Sequence, residues 1–426
     1  MKSKIKSIVL DNGLRVFLEH LPYLGKSAIR VGVNVGYRDE STNLFGITHL
    51  IEHLFFKSSE FREMREIAAD LEIKGVKIHA GTDDSTTEFW TTCLPRFLPD
   101  IIEIFFEVIG SFDYNEEEFE KEKNGIITEI QNELDKPTVS QFDQVFIPAV
   151  FGTSVLNRHD IRKLESIEKI TKDDVISFKK QFYQPQNIVI VISGDFNERK
   201  VISRIENTFG KLSGNFINIR APLLKISKRK HWIVKRKEGI IQAYLTIGAP
   251  ILRFNQLTDE EIAALHLWRA LLCGGRSTKL TYRLCHEEVD TYENVSAELD
   301  NWGEIGLVYI NVDGFDPARF LKISRAIFEE IRSANQKLIK KKEMEIAKIL
   351  FLTDYLDQLH DLEFRTEEIL KIAFGYVSYD FQNIVKVIKK INSHKFKNVI
   401  SGLIPASRSG WTVSVLAPPC VKLEKI

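Results

Sequence analysis

The sequence lacks a surplus of charge of either sign. Its 426 residues include 59 lysines and arginines against 59 aspartates and glutamates, so the formal net charge at pH 7 is zero. Proteins that bind nucleic acid usually carry a basic surplus, so this balance gives no support for such a function. Glycine and proline are also scarce, with 23 and 12 residues, too few for a low-complexity chain. A hydrophobic content of 44% instead predicts a globular protein.

Cysteine is nearly absent, and the four cysteines lie far apart in the chain: Cys93, Cys273, Cys285 and Cys420. No pair has CxxC spacing, which argues against a zinc ribbon and a disulfide framework and favours reduced thiols. The apolar stretch 101–112 contains two glutamates and is too short to span a bilayer. Residues 1–13 contain no secretory apolar segment. We therefore expect a cytoplasmic protein without a membrane span.

What the sequence does contain is an order of elements that occurs twice. Periodicity in the first half predicts strands at 7–10, 15–20, 28–36, 76–82, 86–93 and 187–194 and helices at 46–56, 62–74, 97–111 and 116–134. The second half repeats this order, with strands at 231–234, 242–248, 292–299, 306–312 and 411–416 and helices at 259–273, 317–334, 341–358 and 363–374. The pattern predicts an α+β protein made of two tandem α/β halves.

The predicted halves are residues 1–213 and 231–426, joined by a partly basic linker at 214–230. A short motif supports a duplication of one half. His49-Leu-Ile-Glu-His-Leu54 is echoed by His266-Leu-Trp-Arg-Ala-Leu271, and both fall on the first predicted helix of their half.

The first of these motifs carries the chemistry. His49 and His53 are four residues apart, so a helix places both imidazoles on one face, with Glu52 near that face. Such an HxxEH arrangement inverts the common HExxH zinc motif. Two histidines and a glutamate also occur by chance on solvated helices. The apolar neighbours of this motif predict a buried helix, in which ionisable groups need partners or a metal.

A zinc site needs a third protein ligand. The predicted helix at 116–134 offers Glu122, Glu129 and Glu133. Glu122 and Glu129 are seven residues apart and share a helix face. Spacing alone does not choose among the three glutamates.

Four segments resemble the pitrilysin and mitochondrial processing peptidase family, M16, of inverted-motif zinc peptidases. They are GYRDES with GITHLIEHLFFKSS, EKEKNGIITEI, ITKDDVISFKKQFYQPQNIVIVISGDF, and GGRSTKLTYRL with YENVSAELDN. The resemblance extends over nearly the whole chain. It implies two homologous sandwich halves of the LuxS/MPP-like metallohydrolase type, with the metal motif in the first half only.

The resemblance also implies roles for particular residues. One Zn²⁺ per chain is expected on His49, His53 and Glu129, which lies 76 residues after His53. Glu52 is expected to act as general base, and Glu122 to support a ligand histidine. Further expected site residues are the catalytic Tyr292 and the substrate contacts of an edge strand at His79, Ala80 and Thr82.

The sequence departs from the family pattern at two places. Family members that act alone usually carry an arginine and a tyrosine seven residues apart in the second half. Here Cys285 stands at the place of the arginine and Tyr292 at that of the tyrosine. A thiol cannot replace a guanidinium group, and a packed strand aromatic is an alternative interpretation of Tyr292. His79 stands where the family usually has asparagine.

The resemblance implies a zinc metalloendopeptidase that hydrolyses peptides inside a closed chamber. The family builds that chamber from four halves, and this chain has two, so we expect a dimer. Either a related partner supplies the Arg/Tyr pair, or a homodimer works through Tyr292, Arg276 or Arg283. The alternative function is a non-catalytic peptide-binding or scaffold subunit.

Overall fold

The computed structural model describes residues 3–55, 57, 62–111, 114–152, 160–214, 229–288, 295–302, 305–419, 421 and 423. The strands within these residues are β1 (Ile5–Val9), β2 (Arg15–His20), β3 (Ser27–Val33), β4 (His79–Thr82), β5 (Thr87–Cys93), β6 (Ile188–Gly194), β7 (Trp232–Arg236), β8 (Ala243–Ile251), β9 (Val295–Trp302), β10 (Ile305–Phe315) and β11 (Thr412–Ala417).

The helices of the first part of the chain are α1 (Ile47–Leu54), α2 (Met64–Ile73), α3 (Leu98–Gly110), α4 (Glu116–Asp135), α5 (Pro137–Gln141), α6 (Ile147–Phe151), α7 (Asp160–Ile167), α8 (Lys172–Phe182) and α9 (Glu198–Asn207). Those of the second part are α10 (Asp259–Cys273), α11 (Lys279–Tyr282), α12 (Phe320–Gln336), α13 (Lys341–His360), α14 (Leu362–Phe374), α15 (Ile384–Lys390) and α16 (Ser393–Leu403). Two π-helical turns, Phe142–Phe146 and Arg283–Glu288, interrupt this pattern.

Each half of the fold is built on one mixed sheet. The first sheet has the order β1-β2-β6-β3-β5-β4, and the second has the order β7-β11-β8-β10-β9. In the first sheet only β2 and β6 run parallel, and in the second only β7 and β11 do. The second sheet therefore repeats the first without β1, which confirms the prediction of an α+β protein with two similar halves.

The chain forms two compact units, and each of them is made of three separate segments of the sequence. The first unit contains Met1–Gln131, Ile161–Pro222 and Gln358–Gly375, and the second contains Asn132–Asp160, Leu223–Asp357 and Tyr376–Ile426. Helix α14 packs on β3 and β6 of the first sheet, whereas α5 and α6 pack on β8 and β11 of the second. Each half of the sequence thus provides one helical segment to the unit formed mainly by the other half.

Corresponding glycines allow these two helical segments to approach their sheets. A Cβ atom at Gly32 on β3 would lie 2.6 Å from Leu370 Cδ2 of α14. A Cβ atom at Gly248 on β8 would overlap the ring of Phe146, between α5 and α6. Such a contact is closer than side chains tolerate, so the packing requires glycine at both positions.

The predicted elements differ from the observed ones mainly at their ends. Strand β4 begins at His79, not at residue 76, because the N–H of Val76 donates to the Leu71 carbonyl of α2 after the left-handed Gly75. Helices α5 to α7, α9, α11, α15 and α16 were not predicted, whereas the capping box of Thr171 and Asp174 predicts the start of α8 correctly. Most of the predicted linker, residues 215–228, lies outside the described residues, and the division at 213 and 231 stays a prediction.

Cys93, Cys273 and Cys285 are free thiols. Burial raises the pKa of both Cys93 and Cys273 to about 12, which keeps these groups protonated and unreactive. Within the described part of the chain, no helix is both long enough and apolar enough to cross a bilayer.

Candidate metal centre

Helix α1 holds the HxxEH motif in a fixed position because its N-terminus is capped by a buried carboxylate. The Glu40 side chain accepts hydrogen bonds from the N–H of Gly46 at 3.0 Å, the N–H of Thr48 at 3.1 Å and the Thr48 hydroxyl at 2.6 Å. Gly46 has a φ of 91°, which glycine adopts without strain. A negative charge at a helix N-terminus also interacts favourably with the helix dipole.

Two histidines of α1 and one glutamate of α4 converge. Ligand atoms of His49, His53 and Glu129 all lie within 4.8 Å of one another. One Glu129 oxygen is 3.7 Å from His49 Nε2, and the other is 3.3 Å from His53 Nε2. Among the described residues, these three form the cluster of metal-ligating side chains. The structure thus brings together the three residues that the resemblance implied.

The donor set fits a zinc ion. Bonds of about 2.0–2.2 Å in a tetrahedral arrangement place neighbouring ligand atoms about 3.4 Å apart. The two nitrogen–oxygen distances, 3.3 and 3.7 Å, bracket this value. The His49 and His53 side chains are only 14% and 25% exposed, whereas that of Glu129 is 49% exposed. The cluster therefore has a protein side and an open side, as catalytic zinc sites do.

The other nitrogen of one histidine faces a second carboxylate. His53 Nδ1 lies 3.5 Å from Glu122 Oε2, and the other Glu122 oxygen is 3.0 Å from Lys57 Nζ. A carboxylate at this position fixes the tautomer and the orientation of an imidazole whose opposite nitrogen faces the metal site. Lys57 was missed by the sequence analysis, although its spacing of four residues from His53 could have indicated it.

Glu52 lies on the same helix beside the cluster. Burial raises the pKa of its carboxyl group, whereas a hydrogen bond with Thr82 and the proximity of His53 lower it to a smaller extent. Thr82 belongs to β4, and its hydroxyl is also 3.5 Å from the Thr48 carbonyl of α1. The strand β4 and the helix α1 thus meet at Glu52.

Comparison with known proteins adds to this geometry. Residues 15–157 match the family model of the insulinase-type peptidases of family M16, and residues 169–351 match that of the M16 inactive domain. Together these matches span most of the chain. The chain belongs to peptidase family M16.

Several M16 relatives are named zinc proteases. One uncharacterized zinc protease from Streptomyces coelicolor is 26% identical over 281 residues, which are 65% of this chain and 60% of that protein. Another, from Mycobacterium leprae, is 27% identical over 344 residues, or 80% of this chain and 75% of that protein. The crystal structure of a protease from Helicobacter pylori shares the fold, with a TM-score of 0.85 and 21% identity over 98% of this chain and 100% of that one.

Strand β4, at the edge of the first sheet, is supported by stacked side chains of the neighbouring strands. In the sheet order β4 comes last, after β5. The His79 ring stacks on Trp90 of β5 with centroids 5.7 Å apart, and the Arg30 guanidinium lies 4.5 Å from the centre of the Trp90 ring. Trp90 Nε1 donates to Glu363 of α14 at 3.1 Å. Helix α14 therefore helps to position the strand that contains His79, Ala80 and Thr82.

Of the two positions expected to hold the Arg/Tyr pair in the second half, the structure describes only that of Cys285. Tyr292 lies outside the described residues. Cys285 lies in the π-helical turn Arg283–Glu288 and is partly buried. The Arg283 guanidinium pairs with Glu329 at 2.6 Å and with Glu330 at 3.2 Å. Both carboxylates belong to α12, so Arg283 is already engaged in ion pairs.

Proposed function

We propose that this protein is a zinc-dependent metalloendopeptidase that hydrolyses peptides or unfolded segments. The observation that carries the proposal is the convergence of His49, His53 and Glu129 at distances that suit one Zn²⁺, next to Glu52. The names of its M16 relatives support the same activity. His49, His53 and Glu129 would hold the ion, which supplies Lewis acidity when it is bound.

Glu52 acts as the general base in this proposal. Its carboxylate takes a proton from the attacking water and later delivers that proton to the leaving amine. Thr82 holds the Glu52 carboxylate by a hydrogen bond, and Glu122 holds His53 in one orientation. Lys57 Nζ lies 3.0 Å from Glu122 and compensates its negative charge. Of Glu122 and Glu129, only Glu129 then brings an uncompensated negative charge to the site.

The substrate is an extended peptide that adds to the sheet at β4. Edge strands present unpaired backbone groups, and a peptide that pairs with them gains main-chain hydrogen bonds. His79, Ala80 and Thr82 form this edge, and Thr82 connects it to Glu52. A peptide on β4 would therefore run past the proposed base.

We further propose that the active form is a dimer that encloses a chamber, as the resemblance to M16 peptidases implies. A related subunit that supplies an Arg/Tyr pair would compensate for Cys285. The scattered free cysteines support a reducing compartment such as the cytoplasm.

Glu52→Gln provides the test. The amide keeps the shape of the side chain but cannot accept the proton, so turnover of a quenched fluorescent peptide should fall about 10²–10⁴-fold. Zinc content, measured by atomic absorption after dialysis, should not change. The matched control is Glu72→Gln on α2, an exposed carboxylate that is not part of the cluster. Near-normal turnover, or a loss of zinc from the Glu52 variant, would contradict the assignment.

A further inference from the structure

The second unit contains a small cavity between α12 and the segment that precedes β11. Its volume is about 170 Å³. The lining includes three arginines and an apolar wall, formed by Arg325, Phe328, Glu329, Ile331, Arg332, Ala406, Arg408 and Trp411. None of these residues belongs to the metal cluster, so the proposed peptidase function does not account for them.

Three of the residues that line the cavity are arginines, and one is an acidic residue, Glu329. Arg325 and Arg332 are seven residues apart on α12 and share one helix face. Among the described residues, no carboxylate forms an ion pair with Arg325, Arg332 or Arg408. The acidic lining residue, Glu329, already pairs with Arg283 at 2.6 Å. The cavity therefore has an excess of positive charge in a chain whose net charge is zero.

Arg408, an exposed residue of the lining, contacts the aromatic ring of a second lining residue, Phe328. Its guanidinium lies 4.8 Å from the centre of the Phe328 ring, a favourable cation–π distance. Partial burial and the nearby charge of Arg325 both lower the pKa of Arg408. The mutual repulsion of these guanidinium groups is a cost that a bound anion would remove.

The apolar wall offers no competing polar contact. Trp411 Nε1 donates to the Pro405 carbonyl at 3.0 Å, so this indole N–H is already used. Phe328 and Ile331 have no polar side-chain atoms. A ligand would thus be recognised through the guanidinium groups.

The size of the cavity limits the ligand to one small group. Sites for drug-sized molecules occupy about 300–1,000 Å³, well above the volume found here. Guanidinium groups bind carboxylates and phosphates through paired, charge-assisted hydrogen bonds. A terminal phosphate group presents three oxygens to three arginines, whereas a carboxylate presents two. We propose that Arg325, Arg332 and Arg408 form a binding site for a phosphate group.

Calorimetric titration of the full chain with inorganic phosphate at constant ionic strength tests this site. We expect saturable binding that weakens roughly tenfold or more in Arg325→Gln and in Arg408→Gln, because each loses charged hydrogen bonds. Arg325 is exposed, so its replacement should leave the fold intact even if Arg408→Gln perturbs the contact with Phe328. The control is Arg199→Gln on α9, an exposed arginine that does not line the cavity, which should bind phosphate as the wild type does.

Two further titrations identify the source and the chemistry of the ligand. Tighter binding of phenyl phosphate than of inorganic phosphate would indicate an organic phosphate ester, and the reverse would indicate the free ion. Tighter binding of succinate than of either phosphate would overturn the proposal. Equal phosphate affinity in all variants would also overturn it, since binding at the metal centre or non-specific binding would not respond to these arginines. Failure here leaves the peptidase proposal unaffected.

Discussion

The imidazole of His266 packs against the ring of Phe351, with ring centroids 5.0 Å apart, and lies 6.4 Å from the ring of Tyr355. Helix α10 follows β8 as α1 follows β3, and α13 follows the β9–β10 hairpin as α4 follows β4–β5. His266 thus corresponds to His49 in the sequence echo. On α13, aromatic rings contact this histidine, whereas on α4 the glutamates Glu122 and Glu129 face the histidines of α1. The second half retains the helices of the metal site and one imidazole, that of His266, but Ala270 stands at the place of His53.

His266 should make the protein less stable in acid. Burial, and secondarily repulsion from Arg269, lower its pKa from 6.5 to about 3. Above about pH 6.5 the folded and unfolded states both contain neutral imidazole, so His266 adds no pH dependence there. As the pH falls from there towards 3, the unfolded state binds the proton first and stability decreases.

His266→Phe should remove this pH dependence while it retains the aromatic packing. Between pH 7.5 and pH 5, the urea midpoint of the variant should fall less than that of the wild type, equivalent to about 1–2 kcal/mol. The control is His394→Gln, an exposed histidine on α16. An equal decrease in the wild type and in His266→Phe would mean that His266 is not buried as a neutral group.

Replacement of three different glutamates of α4 should change the zinc content of the protein to very different extents. Glu129→Ala removes one of three protein ligands and should lower zinc occupancy most. Glu122→Ala should have a smaller effect, about 10–100-fold in affinity, because it removes only the partner of His53. Glu133→Ala should retain zinc, since Glu133 pairs with Lys136 and lies outside the cluster. Atomic absorption after dialysis measures the order, and equal zinc in all three variants would disprove this choice of ligands.

The sequence could predict the two histidines because a spacing of four residues fixes both on one helix face. It could not choose the third ligand from periodicity, since Glu122, Glu129 and Glu133 all lie on one long helix and the fold alone decides which of them faces α1. The resemblance supplied that choice, and the cluster distances agree with it. The role of Glu40 as a cap was not predictable, because the loop that positions it has no periodic pattern.

The placement of α14 could not be predicted either. Its apolar periodicity indicates that one face is buried, but not which sheet covers that face. Glycine is required on β3 and β8 where a helical segment comes close, and at Gly248 also because an added Cβ atom would lie 2.8 Å from Tyr309 Cβ of β10. Such a requirement is visible only once the partner helix is known.

The stacked side chains of His79, Trp90 and Arg30 should affect substrate binding more than catalysis. Trp90→Phe keeps an aromatic ring between His79 and Arg30 but removes the hydrogen bond to Glu363. We expect a loss of about 1–2 kcal/mol of stability. We also expect a higher KM with little change in kcat, because the edge that receives the peptide becomes less well positioned. The control Trp232→Phe on β7 should leave KM unchanged, and a fall in kcat alone in Trp90→Phe would contradict this role.

Cys285 leaves the site without the arginine that the family usually carries at this place. Arg283 is engaged with Glu329 and Glu330, so it is a poor substitute for a guanidinium at the place of Cys285. If a related partner supplies the Arg/Tyr pair, the purified chain should contain zinc and yet hydrolyse peptides poorly. Donors directed at the substrate carbonyl typically contribute about 10²–10³ in rate, so the partner should raise turnover by a factor of this size.

Tyr292→Phe distinguishes this arrangement from a homodimer. With a partner that supplies its own tyrosine, the variant should match the wild-type chain in the reconstituted complex. In a homodimer that works through Tyr292, the same change should remove most of the activity of the isolated chain. Peptide turnover should be measured together with the oligomeric state, with Tyr282→Phe, an exposed tyrosine on α11, as the control. Robust turnover by the isolated chain that depends on Tyr292 would exclude an obligate partner, because no second protein would then be needed to complete the site.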